Sequence, residues 1–240
     1  SGRIGVAAMQ NVLVYISTNY GTTWAETNFP SGIKYYGVAC SGNCSYILLS
    51  AVVDSTPAVY ISTDFGASSM QVFNSTATSS INEMGQVYVS FDASVMVFAL
   101  GTEGVYQSFA NGTAWEVVSS LPTSVATPWY CVAGSSDGAV LAVGIDNTDG
   151  YIAASYNTGV DWASPDASNV TNKNWFGVAM SNEGTRIAAV ATDNGIYVGT
   201  IPEPTANPTT FQPSFLPTGQ PSSLPSAQPS TAPSSLPSSV

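Results

Sequence analysis

The stretch Ser17-Thr18-Asn19-Tyr20-Gly21-Thr22-Thr23-Trp24 decides the fold of this 240-residue chain. It follows residues 12–16, which are rich in β-branched and aromatic side chains, and the two together are typical of a strand, a tight turn and the start of a second strand. Asn19 suits the turn because its short amide can bond to nearby backbone groups, and Gly21 suits it because glycine adopts positive φ angles without steric cost. We expect Trp24 to fold back into the core.

This eight-residue box recurs along the chain. Boxes begin at Ser17, Ser62, Ser108 and Ser155, at spacings of 45, 46 and 47 residues. Polar turns and apolar runs recur between the boxes in the same order, so each repeat reads as four short strands, a to d, with the box between c and d. The residues that define the box turns are Asn19, Gly21, Trp24, Asp64, Gly66, Gly112, Trp115, Asn157, Gly159 and Trp162. Four strands in a period of about 46 residues are typical of a β-propeller blade, so residues 1–200 are predicted to form an all-β, β-propeller-like domain of about five blades.

The two ends of this domain are out of phase. Residues 2–8 align with residues 185–191, so the domain begins at a b strand, and its last recognisable strand, residues 195–199, is a c strand. A d and an a strand are therefore missing at the seam between the last blade and the first. Either the chain is cut upstream, or the tail or a neighbouring subunit completes the sheet. An unfilled seam leaves strand edges open for pairing, which is a route to polymers.

Residues 201–240 form a second segment, a Pro/Ser-rich tail. From Pro213 onward a proline recurs every four residues and is followed each time by Ser or Thr. Such a segment cannot build a core, and we expect an extended polyproline II backbone. A four-residue period on that helix turns successive substituents around the axis, so they would clothe it on all sides.

Charge limits the classes of partner. The chain has four basic residues, no histidine and a net charge of −11. Nucleic-acid binding and attachment to an anionic membrane both need clustered positive charge, and no stretch approaches the roughly 18 apolar residues that span a bilayer. We therefore predict neither nucleic-acid binding nor membrane insertion. Ser, Thr, Asn and Gly replace the usual charged surface, and a chain that stays soluble in this way is expected to carry glycans.

Four N-x-Ser/Thr sequons are candidate N-glycosylation sites if the protein is secreted, and the alternative is that they are ordinary turn asparagines. They lie at Asn43, Asn74, Asn111 and Asn169.

The three cysteines give weaker signals. Cys40 and Cys44 flank an expected hairpin turn, which predicts a local disulfide, and the alternative is two buried thiols. A metal site is not expected, because a lone C-x3-C without histidine cannot supply four ligands. Cys131 is predicted to be a small core residue.

The box and its period resemble the Asp-box propeller repeats of sialidases, other glycosidases and many secreted proteins. The resemblance covers about residues 1–200: the box at Ser62 matches well, whereas Ala110 stands at the acid position of the third box and Ser69 at the tryptophan position of the second. It implies a structural turn remote from any active site. The arginine triad of sialidases cannot be built from two arginines, no pair of carboxylates stands out, and the absence of histidine excludes a Ser/His or Cys/His nucleophile. We predict no catalytic residues, no cofactor and no enzyme activity.

The tail resembles the Pro/Ser repeats of hydroxyproline-rich glycoproteins of algal and plant cell surfaces, and the Pro-Ser tetrapeptide stretches of secreted proteins of diatoms, brown algae and related protists. The resemblance implies an extracellular protein with hydroxylated prolines and O-linked sugars in the tail. The positions concerned are Pro213, Ser214, Pro217, Thr218, Pro221, Ser222, Pro225, Ser226, Pro229, Ser230, Pro233, Ser234, Pro237 and Ser238.

The leading hypothesis is a secreted structural glycoprotein that assembles with copies of itself into an extracellular fibril or a filament like a flagellar hair. The propeller is its head and the glycan-coated tail is its rod. The alternative is a carbohydrate-binding, lectin-like propeller on a stalk. Its candidate residues precede the a strands and could stack on sugars or pack between blades. They are Tyr35, Tyr36, Trp129, Tyr130, Trp175 and Phe176.

Overall fold

A computed structural model describes the chain at residues 2–9, 13–75, 84–121, 128–147, 150–163, 173–192 and 195–200. The sequon at Asn169 and the predicted polyproline II tail lie outside these residues. The described part is all-β. Its strands are β1 (Gly5–Ala8), β2 (Val14–Ser17), β3 (Ala25–Glu26), β4 (Lys34–Cys40), β5 (Ile47–Val53), β6 (Thr56–Ser62), β7 (Met70–Asn74), β8 (Met84–Val89), β9 (Met96–Leu100), β10 (Gly104–Ser108), β11 (Glu116–Val117), β12 (Trp129–Gly134), β13 (Leu141–Ile145), β14 (Ile152–Ser155), β15 (Trp175–Met180), β16 (Arg186–Ala191) and β17 (Gly195–Thr200).

The strands form five antiparallel sheets, numbered here in chain order. Sheet 1 contains β1 to β3, sheet 2 contains β4 to β7, sheet 3 contains β8 to β11, sheet 4 contains β12 to β14, and sheet 5 contains β15 to β17. In every sheet each strand pairs with the next one along the chain. Each sheet is therefore one local unit that can form without distant segments.

The sheets pack face to face in chain order. The leading strands β4, β8, β12 and β15 contact one another in succession, and β1 contacts β4. A hydrophobic cluster fills each space between neighbouring sheets. Because successive side chains of a strand point to opposite faces, one strand contributes to two clusters: in β9, Phe98 faces sheet 2 and Val97 faces sheet 4. Among the described residues, no comparable contact joins sheet 5 to sheet 1.

The predicted sequence of strands is confirmed. Sheets 2 and 3 contain all four strands, sheet 1 begins at a b strand, and sheet 5 ends at a c strand in the described residues. In sheet 4 the described part of the fourth strand is one bridge, in which Ala154 and Ala163 exchange backbone hydrogen bonds of 2.9 Å. In the described residues the seam lacks a d and an a strand, as the phase of the repeats predicted.

One alignment drawn from the sequence is wrong by one residue. It treats Val6 of β1 and Ala189 of β16 as equivalent, yet Val6 packs forward onto sheet 2 and Ala189 packs backward onto sheet 4. The ladders place Gly5, rather than Ile4, in the position that Ile187 holds in sheet 5. Because strand side chains alternate, a slip of one residue reverses every face, and short strands of Gly, Ala, Val and Ile fit either register.

The expectation that Trp24 enters the core is also wrong. Trp24 is 46% exposed, whereas Trp162 at the same place in the fourth box is 7% exposed. Each indole N–H donates to the glycine carbonyl of its own box, at 3.1 Å to Gly21 and 2.9 Å to Gly159, so the local conformations agree. The box tryptophan packs toward the preceding sheet, and the described residues contain no sheet before sheet 1.

Candidate functional surfaces

The box is a hydrogen-bonded turn centred on its first serine. Ser155 Oγ accepts the N–H of Gly159 at 2.8 Å and donates to Asn157 Oδ1 at 3.1 Å, and Asn157 Oδ1 also accepts the N–H of Asp161 at 2.9 Å. Thr158 and Gly159 have φ angles of 59° and 81°, so the turn needs two successive left-handed residues. The same serine-to-glycine bond closes the boxes that begin at Ser17, Ser62 and Ser108.

Variation among the boxes indicates a structural role. Ala110 stands at the acid position of the third box, and the bond between Ser108 Oγ and the N–H of Gly112 persists at 3.1 Å. In the second box, the carboxylate of Asp64 accepts three bonds from within its own turn, from Ser62 Oγ and from the N–H and Oγ of Ser68. These bonds hold the pKa of Asp64 below its usual range, with the Ser68 hydroxyl as the largest cause. The polar atoms of the box therefore serve the turn.

A second repeated turn joins the a and b strands, where the sequence predicted polar turns but not the hydrogen-bond pattern that they share. The pattern is Ser-x-Asx, in which the serine hydroxyl donates to the Asx side chain: Ser90 Oγ lies 2.8 Å from Asp92 Oδ1, and Ser135 Oγ lies 2.6 Å from Asp137 Oδ1. Ser41 and Asn43 form the same pair in sheet 2 at 3.1 Å. The recurrence of these serines once per repeat could have revealed the pattern.

These a–b turns are linked to one another through their backbones. The N–H of Gly42 donates to Phe91 O at 2.8 Å, that of Phe91 donates to Ser136 O at 2.7 Å, and that of Ser136 donates to Asn182 O at 2.8 Å. Gly42 lies against the exposed Phe91 ring, and a Cβ atom there would lie 2.1 Å from the ring and force it to move. The turns thus connect sheets 2 to 5 at the end of the molecule where the boxes also lie.

An open groove of about 330 Å³ follows this chain of turns, lined by Phe91, Asp92, Ser136, Asp137 and Asn182. Hydrogen bonds hold the pKa of both carboxyls below the usual range: the Ser94 N–H is the largest cause for Asp92 and the Ser135 hydroxyl for Asp137. Both groups are ionised at neutral pH. Glycosidic-bond hydrolysis needs one carboxyl to remain protonated as the acid, so this pair does not provide the usual acid.

The a strands share a β-bulge near their first residue. The ladder registers shift between Tyr35 and Gly37 in β4, between Trp129 and Cys131 in β12, and between Trp175 and Gly177 in β15. In β8 the shift lies between Met84 and Val87, and the ladder places Gly85 at the bulge. A bulge inserts one extra residue and turns its side chain away from the regular alternation.

The bulge divides the six candidate lectin aromatics into two sets. Tyr35, Trp129 and Trp175 precede it and are buried between sheets, so these three take the second of the two alternatives, packing between blades, and cannot stack on a sugar. The bulged residues themselves are accessible: Tyr36 is 37% exposed, Phe176 is 51% exposed and Tyr130 is partly buried. The rings of Tyr130 and Phe176 stack with centroids 5.2 Å apart and an interplanar angle of 30°.

Sheet 5 presents an apolar face that no other sheet covers in the described residues. Its groove of about 230 Å³ is lined by β15, β16 and β17, with Gln86 of sheet 3 at one end. By ladder register, Ile196 holds the place in sheet 5 that Ile152 holds in sheet 4. Ile152 is 3% exposed beneath sheet 5, and Ile196 is 75% exposed. The residues of this open face are Gly177, Ala179, Ala188, Val190, Ile196 and Val198.

Sheet 1 presents the opposite open face. Tyr15 and Ala7 are paired across the ladder and lie on the side away from sheet 2. Trp24 covers part of that side, because a Cβ atom on Gly5 would lie 3.6 Å from the indole. Glu26 pairs with Tyr15 on the same face.

The predicted modification sites lie on the surface where they are described. Asn43 is exposed, and its Oδ1 accepts bonds from Ser41 and Ser45 while its Nδ2, the atom that carries an N-glycan, has no partner in the described residues. Asn74 is exposed at the end of β7, and Asn111 is exposed in the third box turn, where its Nδ2 lies 3.4 Å from Tyr46 Oη.

The cysteines occupy different environments. Cys40 and Cys44 are joined by a disulfide across the a–b turn of sheet 2. Cys131 is a buried free thiol, and burial raises its pKa to about 12. Within the described residues, no group of three or more His, Cys, Asp or Glu side chains is arranged to hold a metal ion, and no helix is long and apolar enough to cross a membrane.

Comparison with known proteins bears on the fold. No protein-family profile matches the sequence, and no curated protein is detectably similar in sequence. The structure is similar to an ancestral GH74 enzyme at a TM-score of 0.65 and 18% identity, over 82% of this chain and 30% of that one. It is similar to a GH74 enzyme of Niastella koreensis at 0.63 and 16%, over 83% and 35%. It is also similar to YCF48 bound to a D1 peptide at 0.56 and 12%, over 83% and 60%.

The fold is a β-propeller. At these identities the similarity concerns the fold alone, and the chain spans about a third of the length of the GH74 chains, 30% and 35%. The similar propellers include glycoside hydrolases and a peptide-bound protein, so the fold does not select among functions.

Proposed function

We propose that this protein is a structural glycoprotein without enzyme activity, whose propeller-like head assembles with copies of itself into an extracellular filament. The observation that carries the proposal is a pair of faces, at the two ends of the array of sheets, that no other sheet covers within the described residues. One is the apolar face of sheet 5, and the other is the face of sheet 1 that presents Tyr15 and Trp24.

The packing of sheet 4 against sheet 5 shows how the proposed contact between copies could form. Sheet 4 presents Ala142 and Ile152 to sheet 5, and Ile187 and Ala189 pack against them. The open face of sheet 5 displays Ala188 and Ile196 at the places of Ala142 and Ile152. Covering such a face removes apolar area from water, which favours association by about 25 cal/mol for each Å².

The occupant that we assign to the sheet 5 face is sheet 1 of a second copy. The small residue Ala7 leaves room for Val190 and Ile196, and Trp24, which packs over Gly5, adds apolar area. Arg186 lies on the sheet 5 face and Glu26 on the sheet 1 face, so the two carry opposite charges. Two different surfaces joined head to tail form a heterologous contact, which repeats into a ring or an open filament.

Surface chemistry agrees with a glycan-bearing protein outside the cell. The exposed asparagines Asn43, Asn74 and Asn111 offer N-glycan sites, and charged residues make up 8% of the chain. The Pro/Ser repeat of residues 201–240 would add a glycan-coated rod to the head. Copies of the chain and covalent glycans are the partners in this proposal, and no nucleic acid or membrane insertion is involved.

Electron microscopy of the purified glycosylated protein tests the proposal. We expect filaments or closed rings with a repeat set by one propeller head, and their loss when Ile196 is replaced by glutamate. Isolated heads at all concentrations would contradict it. Val160→Glu is the matched control, because Val160 is an exposed aliphatic residue in the fourth box turn, away from both open faces.

A lectin-like head is the second candidate. The observation that favours this candidate is the exposure of three aromatic residues at the bulges, Tyr36, Tyr130 and Phe176. The sequence had offered six candidates.

A further inference from the structure

The β-bulge occurs at the same point of four a strands, which is the repeated irregularity that the box does not explain. Bulges re-aim side chains and are over-represented beside functional sites. At the four bulges stand Tyr36, Gly85, Tyr130 and Phe176, in the order of sheets 2 to 5. Three of the four are aromatic, and one has no side chain.

The bulged residues lie close to one another. The leading strands contact each other in succession, and Tyr130 stacks on Phe176. Gly85 lies against the neighbouring strand so closely that a Cβ atom would lie 2.4 Å from the carbonyl oxygen of Tyr130. Only glycine fits at that position, because the backbone of the neighbouring strand occupies the place of a side chain.

Polar groups border the aromatic surface. Gln86, the residue after Gly85, lines the neighbouring groove, and its amide nitrogen would lie 4.0 Å from a Cβ atom on Gly177. Tyr36 and Tyr130 add phenol hydroxyls, which can donate and accept hydrogen bonds. The chain as a whole is acidic, which disfavours anionic ligands.

Packing alone does not require this arrangement. The residue before each aromatic bulge, such as Trp129 or Trp175, already fills the space between the sheets. The bulged ring is therefore a second, exposed aromatic beside a buried one. Phe176 has no polar atom, yet about half of its surface faces solvent.

We propose that Tyr36, Tyr130 and Phe176 form a platform for a neutral saccharide. The C–H groups on one side of a pyranose ring pack on an aromatic face, and its hydroxyls bond to polar groups at the rim, here Gln86 and the tyrosine hydroxyls. The platform lies at the end of the a strands opposite the box turns. The proposal rests on the second candidate function, the lectin-like head, and is independent of filament assembly.

Calorimetric titration of the whole chain with four tetrasaccharides tests the proposal. The probes are a β-1,4-glucan, a β-1,3-glucan and an N-acetylglucosamine oligomer, which are neutral, and an oligogalacturonate, which is anionic. We expect at least one neutral probe to bind, and to bind more tightly than the anionic one. Tyr36→Ala and Phe176→Ala should each weaken that binding about tenfold, because each removes one aromatic contact with the sugar, a loss of about 1.4 kcal/mol.

Control variants separate binding from folding. Both target residues are exposed, so their alanine variants should unfold at the same urea midpoint as the parent. Phe109→Ala is the matched control, because Phe109 is a similarly exposed phenylalanine at the third box, at the other end of the molecule. Its affinity for the neutral probe should be unchanged.

Three results would overturn the proposal. One is the absence of binding by every neutral probe at about 10 mM, a concentration that detects even weak sites. Another is binding that Tyr36→Ala and Phe176→Ala leave unaltered. The third is a loss of self-association in these variants with saccharide binding intact, because the platform would then be a contact between copies of the chain.

Discussion

Sheets 4 and 5 have nearly the same strands and opposite surroundings. Ile152 and Ile196 hold the same ladder position, and one is 3% exposed while the other is 75% exposed. Sheet 1 shows the converse at the other end, where Trp24 is exposed and its counterpart Trp162 is buried. The repeat therefore determines which side chains each face carries. The presence or absence of a neighbouring sheet determines whether those side chains are buried or exposed.

The box tryptophans should show the largest contrast. Trp162→Ala is expected to lower the free energy of unfolding by about 3–5 kcal/mol, because it empties a packed site between sheets 3 and 4. Trp24→Ala should cost about 1 kcal/mol, since the ring is half exposed and packs mainly on Gly5. Urea unfolding of dilute protein followed by circular dichroism measures both. Equal losses would mean that an unseen neighbour covers sheet 1.

The isoleucine pair makes the same contrast at the other end. Ile152→Ala should lower the free energy of unfolding by about 2–5 kcal/mol through the cavity that it leaves. Ile196→Ala should change it by about 0.5 kcal/mol or less in dilute solution, because the side chain already meets water. The same urea titrations apply, run below the concentration at which the protein associates. A large cost at Ile196 would contradict an uncovered face.

The box serines should show a smaller contrast. Ser155→Ala leaves the buried N–H of Gly159 without its acceptor and should cost about 1–3 kcal/mol. Ser17→Ala removes the equivalent bond to Gly21, but Gly21 is exposed and water can replace the acceptor, so the cost should be about 0.5–1 kcal/mol. Thermal unfolding of the two variants checks this. A cost at Ser17 as large as that at Ser155 would contradict an uncovered sheet 1.

The a–b turns give the smallest effect, a dependence on pH. Hydrogen bonds lower the pKa of Asp137 in the folded protein, so its stabilising contribution is complete above the unfolded value of about 3.9 and is lost as pH falls through the folded pKa. Asp137→Asn should flatten this part of the acid dependence of unfolding, because an amide does not titrate. In sheet 2 the equivalent residue is Asn43, whose side-chain amide accepts the same serine hydrogen bond without titrating. An unchanged acid profile in Asp137→Asn would contradict the assignment.

The sequence predicted the features that each repeat makes by itself. The box, its spacing and the order of the strands follow from local hydrogen bonds and from the alternation of side chains along each strand. Residues such as Gly21 and Trp115 therefore predict them. Whether Trp24 is buried or exposed could not be predicted, because it depends on whether another sheet precedes sheet 1. The register of β1 was also beyond reach, because its small residues fit both faces.

The aromatic candidates were half predictable. The pairs Tyr35–Tyr36, Trp129–Tyr130 and Trp175–Phe176 stand out in the sequence, but periodicity cannot say which member faces solvent. The bulge decides this, by adding one residue to β4, β12 and β15 and none to their partners. Gly85 stands in place of an aromatic residue at the equivalent position of β8, which indicates that the bulged position is sterically constrained.

Chemical cross-linking between two variants tests the central claim, that the open faces of sheets 5 and 1 meet between copies. One variant is Ile196→Cys and the other is Ala7→Cys, and the natural thiol, Cys131, is buried and unreactive. A short bismaleimide added to the mixture should give a covalent dimer that needs both variants. A dimer from Ile196→Cys alone, or no dimer at concentrations where the protein associates, would contradict the claim.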